Sequence, residues 1–168
     1  HVLGYLGQSG NDENGKLVGK SGIESIYEKK LRGSDGLKRA EVDVTGREAR
    51  TIEYKKAKKG SNVYTTLDLE LQKVTDKALK KALSTARNGG SYKSKYGDVS
   101  FPKKYKNAKS GAAVAVDVKT GKVLAMSSFP NFDPNVFSAN RISNEDWQKL
   151  QSENPRDPIS PAPLYNVA

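Results

Sequence analysis

The sequence predicts an α+β fold built from short hairpins and amphipathic helices. An apolar alternating run begins at Gly111, reaches a Lys-Thr-Gly turn and returns as a second apolar run, which is typical of a β-hairpin. Apolar residues between Leu71 and Ala86 recur at helical spacing. Because only 35% of the residues are hydrophobic and 29% are charged, we expect an elongated chain of thin, solvated elements rather than one thick core.

The first part of the chain contains an apolar run and signals for a loop and a helix. Residues 1–7 are a short apolar run, and residues 8–19 form a loop rich in Gly, Asn and Asp. Ser21 and Glu24 are spaced as a capping box, and Gly33 supplies a left-handed stop. The single amphipathic helix predicted between these signals has as its apolar residues Ile23, Ile26, Tyr27 and Leu31.

A second hairpin, with one modestly buried face, is predicted between residues 40 and 54, with its turn at Thr45-Gly46. Its alternating residues are Ala40, Val42 and Val44 before the turn and Arg50, Ile52 and Tyr54 after it.

The longest helix is expected to begin after Asp68, whose side chain can cap it. Glu70 falls in its first turn, where a negative charge meets the positive end of the helix dipole. The helix should end near Asn88-Gly89-Gly90. Its predicted apolar stripe consists of Leu71, Val74, Ala78, Leu79, Ala82 and Ala86.

Positive charge is concentrated between Lys77 and Lys109, in a chain whose formal net charge is +10. Residues 91–110 show no apolar period, so we interpret them as an exposed, mobile basic insertion. Tyrosine and phenylalanine residues interleave with the lysines, a pattern that nucleic-acid-binding segments also use. Three hypotheses stay open: a solvated loop, contact with an anionic wall polymer or lipid surface, and nucleic-acid binding.

The segment after the apolar hairpin predicts a turn and then a helix. Pro130 and Pro134 end the second apolar run, and Asp133 precedes the second proline as a turn former. Ser143 and Asp146 bracket the predicted helix start. The apolar face of that helix contains Trp147 and Leu150.

Several motifs, taken in order, resemble those of the class B penicillin-binding proteins. The first resembles the G-L-E…Y…L-R-G…G motif of the family's non-catalytic module and consists of Gly22-Ile23-Glu24, Tyr27, Leu31-Arg32-Gly33 and Gly36. The second resembles the T-I-D…L-Q motif that joins this module to the catalytic domain and consists of Thr66, Asp68, Leu71 and Gln72. The hairpin from Gly111 and the tail from Phe129 to Asn135 resemble the opening of the transpeptidase domain.

The resemblance implies an elongated pedestal module followed by the first β-hairpin of a transpeptidase domain. Residues 1–66 would be the distal part of a dimerisation-type pedestal, residues 67–110 a linker helix with the basic insertion, and residues 111–168 the start of the transpeptidase domain. Interdomain or structural roles, and no catalytic ones, are expected for Glu24, Arg32, Gly33, Asp68, Gln72, Asp117, Gly121, Asp133, Pro134 and Asn135.

Glu24 and Arg32 leave two interpretations open. Both could act within their own helix, the glutamate as a cap and the arginine against the helix dipole. Alternatively, as the family suggests, they could make an interdomain contact that positions the catalytic domain.

By the same resemblance, the expected function is that of a scaffold within a peptidoglycan D,D-transpeptidase, a serine enzyme that cross-links stem peptides in cell wall synthesis. The implied ligands of the catalytic domain are stem peptides and β-lactams, and the implied partner is a glycosyltransferase or another protein of wall elongation or division. No nucleic acid is expected, and the implied location is the extracytoplasmic face of the bacterial cell membrane. The alternative hypothesis is a basic module that binds a wall polymer, a lipid surface or nucleic acid through residues 77–109.

Strings in the sequence imitate the catalytic motifs of that family. Its Ser-x-x-Lys pair needs one helical turn, so that the lysine amine can take the serine proton. Ser100-Phe101-Pro102-Lys103 places proline in that turn, within a segment that has no apolar stripe. Turn chemistry explains Lys119-Thr120-Gly121, and chance explains Ser152-Glu153-Asn154 and Ser9-Gly10-Asn11. The resemblance to the family implies that the catalytic serine follows Ala168, outside this sequence.

Composition argues against a metal site or a cofactor. The chain has no cysteine and a single histidine, His1, and its carboxylates lack the spacing of metal-binding loops. No apolar stretch approaches the roughly 20 residues of a membrane helix, so we expect the membrane anchor of the family to lie outside this sequence.

Overall fold

A computed structural model describes residues 1–9, 16–138, 142–152, 154, 160–164 and 168. They form two compact units, one comprising Leu3–Tyr64 and the other comprising Thr65–Ala168 together with His1–Val2. Among the described residues, helices accompany sheets that each contain two antiparallel strands. The predicted α+β class is therefore confirmed.

The described residues of the unit Leu3–Tyr64 form two hairpins and two short helices. Its elements are β1 (Leu6–Gln8), β2 (Leu17–Gly19), α1 (Gly22–Ile26), α2 (Glu28–Leu31), β3 (Leu37–Val42) and β4 (Glu48–Lys55). Strand β1 pairs with β2 and strand β3 pairs with β4, both antiparallel. Strand β1 begins only at Leu6, near the end of the apolar run of residues 1–7. Residues 10–15 of the predicted loop lie outside the described residues.

The predicted capping box is wrong, although the helix start is right. Helix α1 follows Ser21, but the Ser21 side chain makes no capping hydrogen bond. The Glu24 amide donates instead to the Leu3 carbonyl at 3.0 Å, so a chain segment from outside the helix takes the place of the serine hydroxyl. The single predicted helix is also divided at Tyr27, whose φ of −104° and ψ of 14° separate α1 from α2.

The hairpin predicted between residues 40 and 54 is present, but its predicted buried face is wrong. Every residue of β4 is exposed. The register shifts twice along the pair, so bulges interrupt the alternation of side chains. Arg50 pairs with Glu41 and Tyr54 pairs with Lys38. Because Glu41 and Lys38 are three residues apart in β3, Arg50 and Tyr54 face opposite sides of the sheet rather than sharing one.

The described part of the second unit contains the long helix and two hairpins. Its elements are α3 (Leu69–Asn88), β5 (Gly90–Tyr92), β6 (Val99–Phe101), β7 (Gly111–Val116), β8 (Val123–Phe129), a 3₁₀ helix (Pro134–Phe137) and α4 (Asn144–Leu150). The predicted bounds of the long helix and the predicted hairpin from Gly111 are confirmed. The predicted start of α4 is also confirmed, since the Ser143 hydroxyl accepts from the Asp146 amide at 3.0 Å.

The core of this unit lies where α3 packs on the β7–β8 hairpin. Ala125 in β8 is completely buried. Gly111 lies so close to the helix that a Cβ there would be 3.3 Å from Leu83 and 3.4 Å from Leu79. Val74 is 61% exposed, so it does not belong to the buried stripe predicted for the helix. Leu83 was not part of the predicted stripe. It lies on the face of α3 that is directed toward the hairpin.

Residues 90–101 form a short hairpin, which corrects the interpretation of residues 91–110 as irregular. Its pairs are Gly90↔Phe101, Ser91↔Ser100 and Tyr92↔Val99. Strands of three residues are too short to show a period of two in the sequence, which explains why the pattern did not reveal them. Beyond β6, the Tyr105 amide donates to the Ala86 carbonyl at 2.9 Å, so the chain returns to the last turns of α3.

Candidate functional site

Helix α3 is attached to strand β8 by hydrogen bonds along one edge of the strand. We call this set of contacts the α3–β8 network. The Thr66 hydroxyl donates to the Val123 carbonyl at 2.6 Å, and the Asp68 amide donates to the Leu124 carbonyl at 2.8 Å. The remaining contacts of the network involve Gln72, Asp76, Met126 and Ser127.

Gln72 occupies the centre of the network and binds β8 as a neighbouring strand would. Its side-chain Nε2 donates to the Met126 carbonyl at 3.0 Å, and its Oε1 accepts from the Met126 amide at 2.9 Å. Both backbone groups of Met126 on this edge are thereby satisfied, in a part-buried position where leaving them unpaired would be costly. The side chain therefore determines where α3 sits along β8.

Asp76 extends the network by one helical turn. Its Oδ1 accepts from Gln72 Nε2 at 3.1 Å and from the Ser127 hydroxyl at 2.5 Å. Ser127 is only 3% exposed, so its hydroxyl needs such a partner. Sequence analysis missed Asp76 and Ser127. A signal did exist for the serine, because a polar residue inside an apolar strand usually has a buried partner.

Asp68 caps α3 as predicted. Its Oδ1 accepts from the Leu71 amide at 2.8 Å, and its backbone φ of −90° and ψ of 118° are those of an extended residue before a helix. The same residue therefore begins the helix with its side chain and joins it to β8 with its amide.

Replacing Asp68 with alanine should lower the free energy of unfolding by about 1 kcal/mol, because the Leu71 amide loses its acceptor. Asp68→Asn keeps an acceptor at the same place and should cost only a few tenths of that amount, so it serves as the matched control. Urea denaturation monitored by helical circular dichroism measures both changes. Equal losses in the two variants would show that the charge, and not the cap, is what matters.

Asp117 and Gly121 shape the turn between β7 and β8. The Asp117 carboxylate accepts from the Lys119 amide at 2.8 Å, and the Gly121 amide donates to the Asp117 carbonyl at 2.8 Å. The backbone hydrogen bond from Lys119, together with the Thr120 hydroxyl, holds the pKa of Asp117 below its usual value. Gly121 has a φ of +70°, which explains why glycine ends this turn.

Asp133, Pro134 and Asn135 form the start of the 3₁₀ helix. Asp133 precedes the helix, and its carboxylate accepts from the Asn135 backbone amide and from the Asn135 side-chain amide, both at 2.9 Å. Pro134 occupies the first helical position, where its missing N–H leaves no partner unsatisfied. These contacts are local and order the turn that follows β8.

Glu24, Arg32 and Gly33 lie in the other unit and do not bond to one another. Arg32 Nε is 3.2 Å from a carboxylate oxygen of Glu28. The other oxygen of Glu28 accepts from the Gly19 amide at 2.7 Å, so Glu28, which sequence analysis did not select, links α2 to β2. The hypothesis that Glu24 and Arg32 make an interdomain contact stays a prediction. Gly33 has a φ of +71°, as expected for a left-handed stop.

The strings that imitate catalytic motifs are not arranged as catalytic groups. Ser100 lies in β6 and Lys103 follows that strand, so the pair does not share a helical turn. Lys119-Thr120-Gly121 forms the tip of the β7–β8 turn. Ser152-Glu153-Asn154 and Ser9-Gly10-Asn11 lie partly outside the described residues. Within the described ranges, no three carboxylates or imidazoles cluster as a metal site would require.

The arrangement is suited to positioning rather than to bond making. The α3–β8 network brings together Asp68 and Gln72, two of the predicted residues, and adds Asp76 and Ser127 to them. It contains hydrogen-bond donors and acceptors that satisfy one another. The Ser127 hydroxyl donates to Asp76 and is buried, so it is not presented to a substrate. Its chemical consequence is a defined register between the helix and the first hairpin.

Comparison with family models gives two matches along the chain. The penicillin-binding protein dimerisation domain matches residues 1–65. The penicillin-binding protein transpeptidase domain matches residues 111–162. The first match covers the motif at residues 22–36, and the second covers the hairpin and the tail at residues 111–135. The motif at residues 66–72 lies between the two matches.

Curated and solved relatives agree with these matches. The peptidoglycan D,D-transpeptidase MrdA of Acinetobacter baumannii is 30% identical over 178 residues, covering 100% of this chain and 21% of the relative. A solved structure described as "Structural coordination of polymerization and crosslinking by a peptidoglycan synthase complex" matches with a TM-score of 0.69 and 32% identity, covering 98% of this chain and 27% of the other. A penicillin-binding protein, PBP2, solved in complex with MreC from Helicobacter pylori matches with a TM-score of 0.64 and 29% identity, covering 99% of this chain and 26% of the other.

The chain thus spans about a fifth of the length of the curated relative it matches. The comparisons give no support to the alternative hypothesis of a separate basic binding module. Among the described residues, no helix has both the length and the apolar character needed to cross a membrane.

Proposed function

This chain belongs to the class B penicillin-binding protein family, and we propose that it serves as the scaffold that positions the catalytic domain of a peptidoglycan D,D-transpeptidase. The observation on which the proposal rests is the α3–β8 network. Gln72 satisfies both backbone groups of Met126, so the helix sets the position of the hairpin within the region matched by the transpeptidase model.

We assign three parts to this scaffold. Residues 1–66 form the distal part of the pedestal module, residues 67–110 form the linker helix with the basic hairpin, and residues 111–168 begin the transpeptidase domain. The linker helix supplies Gln72 and Asp76, and the transpeptidase part supplies Met126 and Ser127. The hydrogen bonds between these residues support the proposal that the helix and the β7–β8 hairpin act as one rigid part of the scaffold.

The chemistry proposed for the whole protein is acyl transfer. A serine after this sequence attacks the carbonyl of a D-Ala-D-Ala stem peptide, D-alanine leaves, and an amine of a second peptide takes the acyl group from the serine. β-Lactams acylate the same serine because they imitate the D-Ala-D-Ala donor. The residues described here would hold the hairpin of the catalytic domain in register and would not take part in bond making.

The proposed location is the extracytoplasmic face of the bacterial cell membrane, where peptidoglycan is cross-linked. The solved relatives support a partner in wall elongation, since one was solved as part of a peptidoglycan synthase complex and another with MreC. We therefore propose a glycosyltransferase or an elongation protein as the partner of the whole protein.

Labelling with a fluorescent penicillin tests the proposed activity. We expect one covalent label on the full-length protein that contains this sequence, because it supplies the reactive serine, and the label should survive Ser100→Ala. Residues 1–168 alone should remain unlabelled. Gel fluorescence after denaturation gives the measurement. A label on residues 1–168 that Ser100→Ala abolishes would contradict the proposal, because Ser100 would then be the nucleophile.

A further inference from the structure

Almost all of the excess positive charge of this chain lies in one segment. Residues 77–109 contain ten basic residues and one acidic residue, Asp98, and so account for nine of the ten net positive charges. We define the basic surface as the eight lysines of this segment that are exposed and lie before Lys109: Lys77, Lys80, Lys81, Lys93, Lys95, Lys103, Lys104 and Lys106.

The fold brings together lysines that are distant in the sequence. The Lys81 ammonium of α3 lies 4.6 Å from the ring centre of Tyr92 in β5, so the helix and the hairpin adjoin. The segment after β6 returns to α3 through the Tyr105 amide, and a Cβ at Gly89 would lie 3.4 Å from the Lys104 side chain. Lysines from the helix, the hairpin and the segment beyond it therefore share one region.

These charges are not neutralised within the described part of the chain. None of the eight lysines forms an ion pair there. In the unit Leu3–Tyr64, by contrast, basic side chains pair with Asp35, Glu28, Glu48 and Glu53. Mutually repelling charges left unpaired in one region are typical of a surface that binds an external anion.

The aromatic residues Tyr96 and Tyr105 favour a polyanion without nucleobases over nucleic acid or a membrane. Lysine ammonium groups lie 4.6 Å over Tyr96 and 5.5 Å over Tyr105, so one face of each ring is covered by a cation and is not open for stacking on a base. Tyr96 is 87% exposed, whereas Val99 and Phe101 are half-buried. The hairpin therefore offers charge without the apolar face that a membrane-bound segment inserts.

We propose that the basic surface binds a soluble, linear polyanion that has repeated phosphodiester groups and no nucleobases. Lysine ammonium groups act as point charges and suit phosphates along a flexible polymer, since they do not require the fixed geometry of an arginine fork. Binding would tether the scaffold to an anionic wall polymer near its substrate. The choice of a wall polymer as the ligand rests on the proposed extracytoplasmic function. The existence of the charged surface does not depend on that function.

The test measures binding of residues 1–168 to fluorescent poly(glycerol phosphate) by anisotropy over a range of salt concentrations. The variant Lys93→Gln, Lys95→Gln, Lys103→Gln, Lys104→Gln should bind at least about tenfold more weakly. The slope of log affinity against log salt should fall by about 3, since each phosphate contact contributes about 0.7. The matched control removes the same charge from exposed lysines outside residues 77–109 and should change the affinity less than about twofold. Its substitutions are Lys55→Gln, Lys56→Gln, Lys58→Gln and Lys59→Gln.

Three outcomes would overturn the proposal: equal losses in the two variants, tighter binding to phosphatidylglycerol vesicles, and tighter binding to a single-stranded oligonucleotide. The first would mean that only net charge matters, and the others would identify a different partner. Because penicillin labelling of the full-length protein does not depend on this surface, failure of the binding test would leave the proposed transpeptidase function standing.

Discussion

Replacing Gln72 with alanine should lower the free energy of unfolding of the unit that contains α3 by about 2–4 kcal/mol. The substitution removes both hydrogen bonds between the Gln72 side chain and the Met126 backbone, and removing one partner of a part-buried hydrogen bond costs about 1–3 kcal/mol. It also removes one donor from Asp76, so the Ser127 contact loses support. No other single side chain in the described residues joins the helix to both backbone groups of one β8 residue.

Hydrogen exchange at the Met126 amide measures the Gln72→Ala effect directly, because that amide donates to the Gln72 side chain. Urea denaturation measures the change in global stability. Gln148→Ala is the matched control, since Gln148 is an exposed glutamine in α4 and should change stability by less than about 0.5 kcal/mol. Unchanged protection of Met126 in Gln72→Ala would show that the hairpin keeps its position without the glutamine.

The same variant connects the network to the proposed function. In the full-length protein, Gln72→Ala should slow acylation by fluorescent penicillin, because a displaced first hairpin misplaces the catalytic domain built on it. Gln148→Ala should leave the rate unchanged. Equal acylation rates in wild type and Gln72→Ala, despite lost Met126 protection, would restrict the network to a stabilising role.

Replacing Gly33 with alanine should destabilise the unit Leu3–Tyr64 by about 3 kcal/mol. The φ of +71° strains any residue with a side chain. In addition, the new Cβ would lie 2.3 Å from the Lys58 carbonyl oxygen and 2.6 Å from the Gly60 amide nitrogen. Both neighbours are backbone atoms, so they cannot move aside without breaking the bridge in which the Ser34 and Lys58 amides and carbonyls pair at 2.8 Å.

Gly46→Ala is the control that separates strain from close approach. Gly46 has a φ of +80°, and a Cβ there would have no neighbour within 4 Å, so alanine should cost only about 1 kcal/mol. Hydrogen exchange of the Ser34 and Lys58 amides, together with urea denaturation, measures the two losses. If the variants lose the same stability, the contact with Lys58 contributes nothing and only the backbone conformation matters.

Elements governed by neighbouring residues were predicted well. The start of α3 depends on Asp68 and the amide three residues later, and its end depends on Gly89, so both could be predicted from adjacent positions. The β7–β8 hairpin likewise follows from two apolar runs and a turn that needs Gly121. The β5–β6 hairpin has three-residue strands, too short for such a pattern, and was missed.

Predictions failed where a distant partner competed with a local one. Ser21 was expected to cap the Glu24 amide, but the Leu3 carbonyl already bonds it, and a local sequence pattern contains no information about that approach. Bulges in β4 likewise cancelled an alternation that looked regular in the sequence. At Ser21 a contact from elsewhere in the chain decided the outcome, and in β4 the irregular pairing with β3 did.

By itself, the sequence determined the α+β class, the bounds of α3, the first transpeptidase-type hairpin and the family, since each depends on residue types at short spacing. Only the tertiary structure decided how the helix is attached to the hairpin. Gln72 and Met126 are separated by 54 positions, and Asp76 and Ser127 by 51. Across such distances no periodicity links the partners, and their hydrogen bonds exist only because packing of α3 on β8 brings them within 3.1 Å.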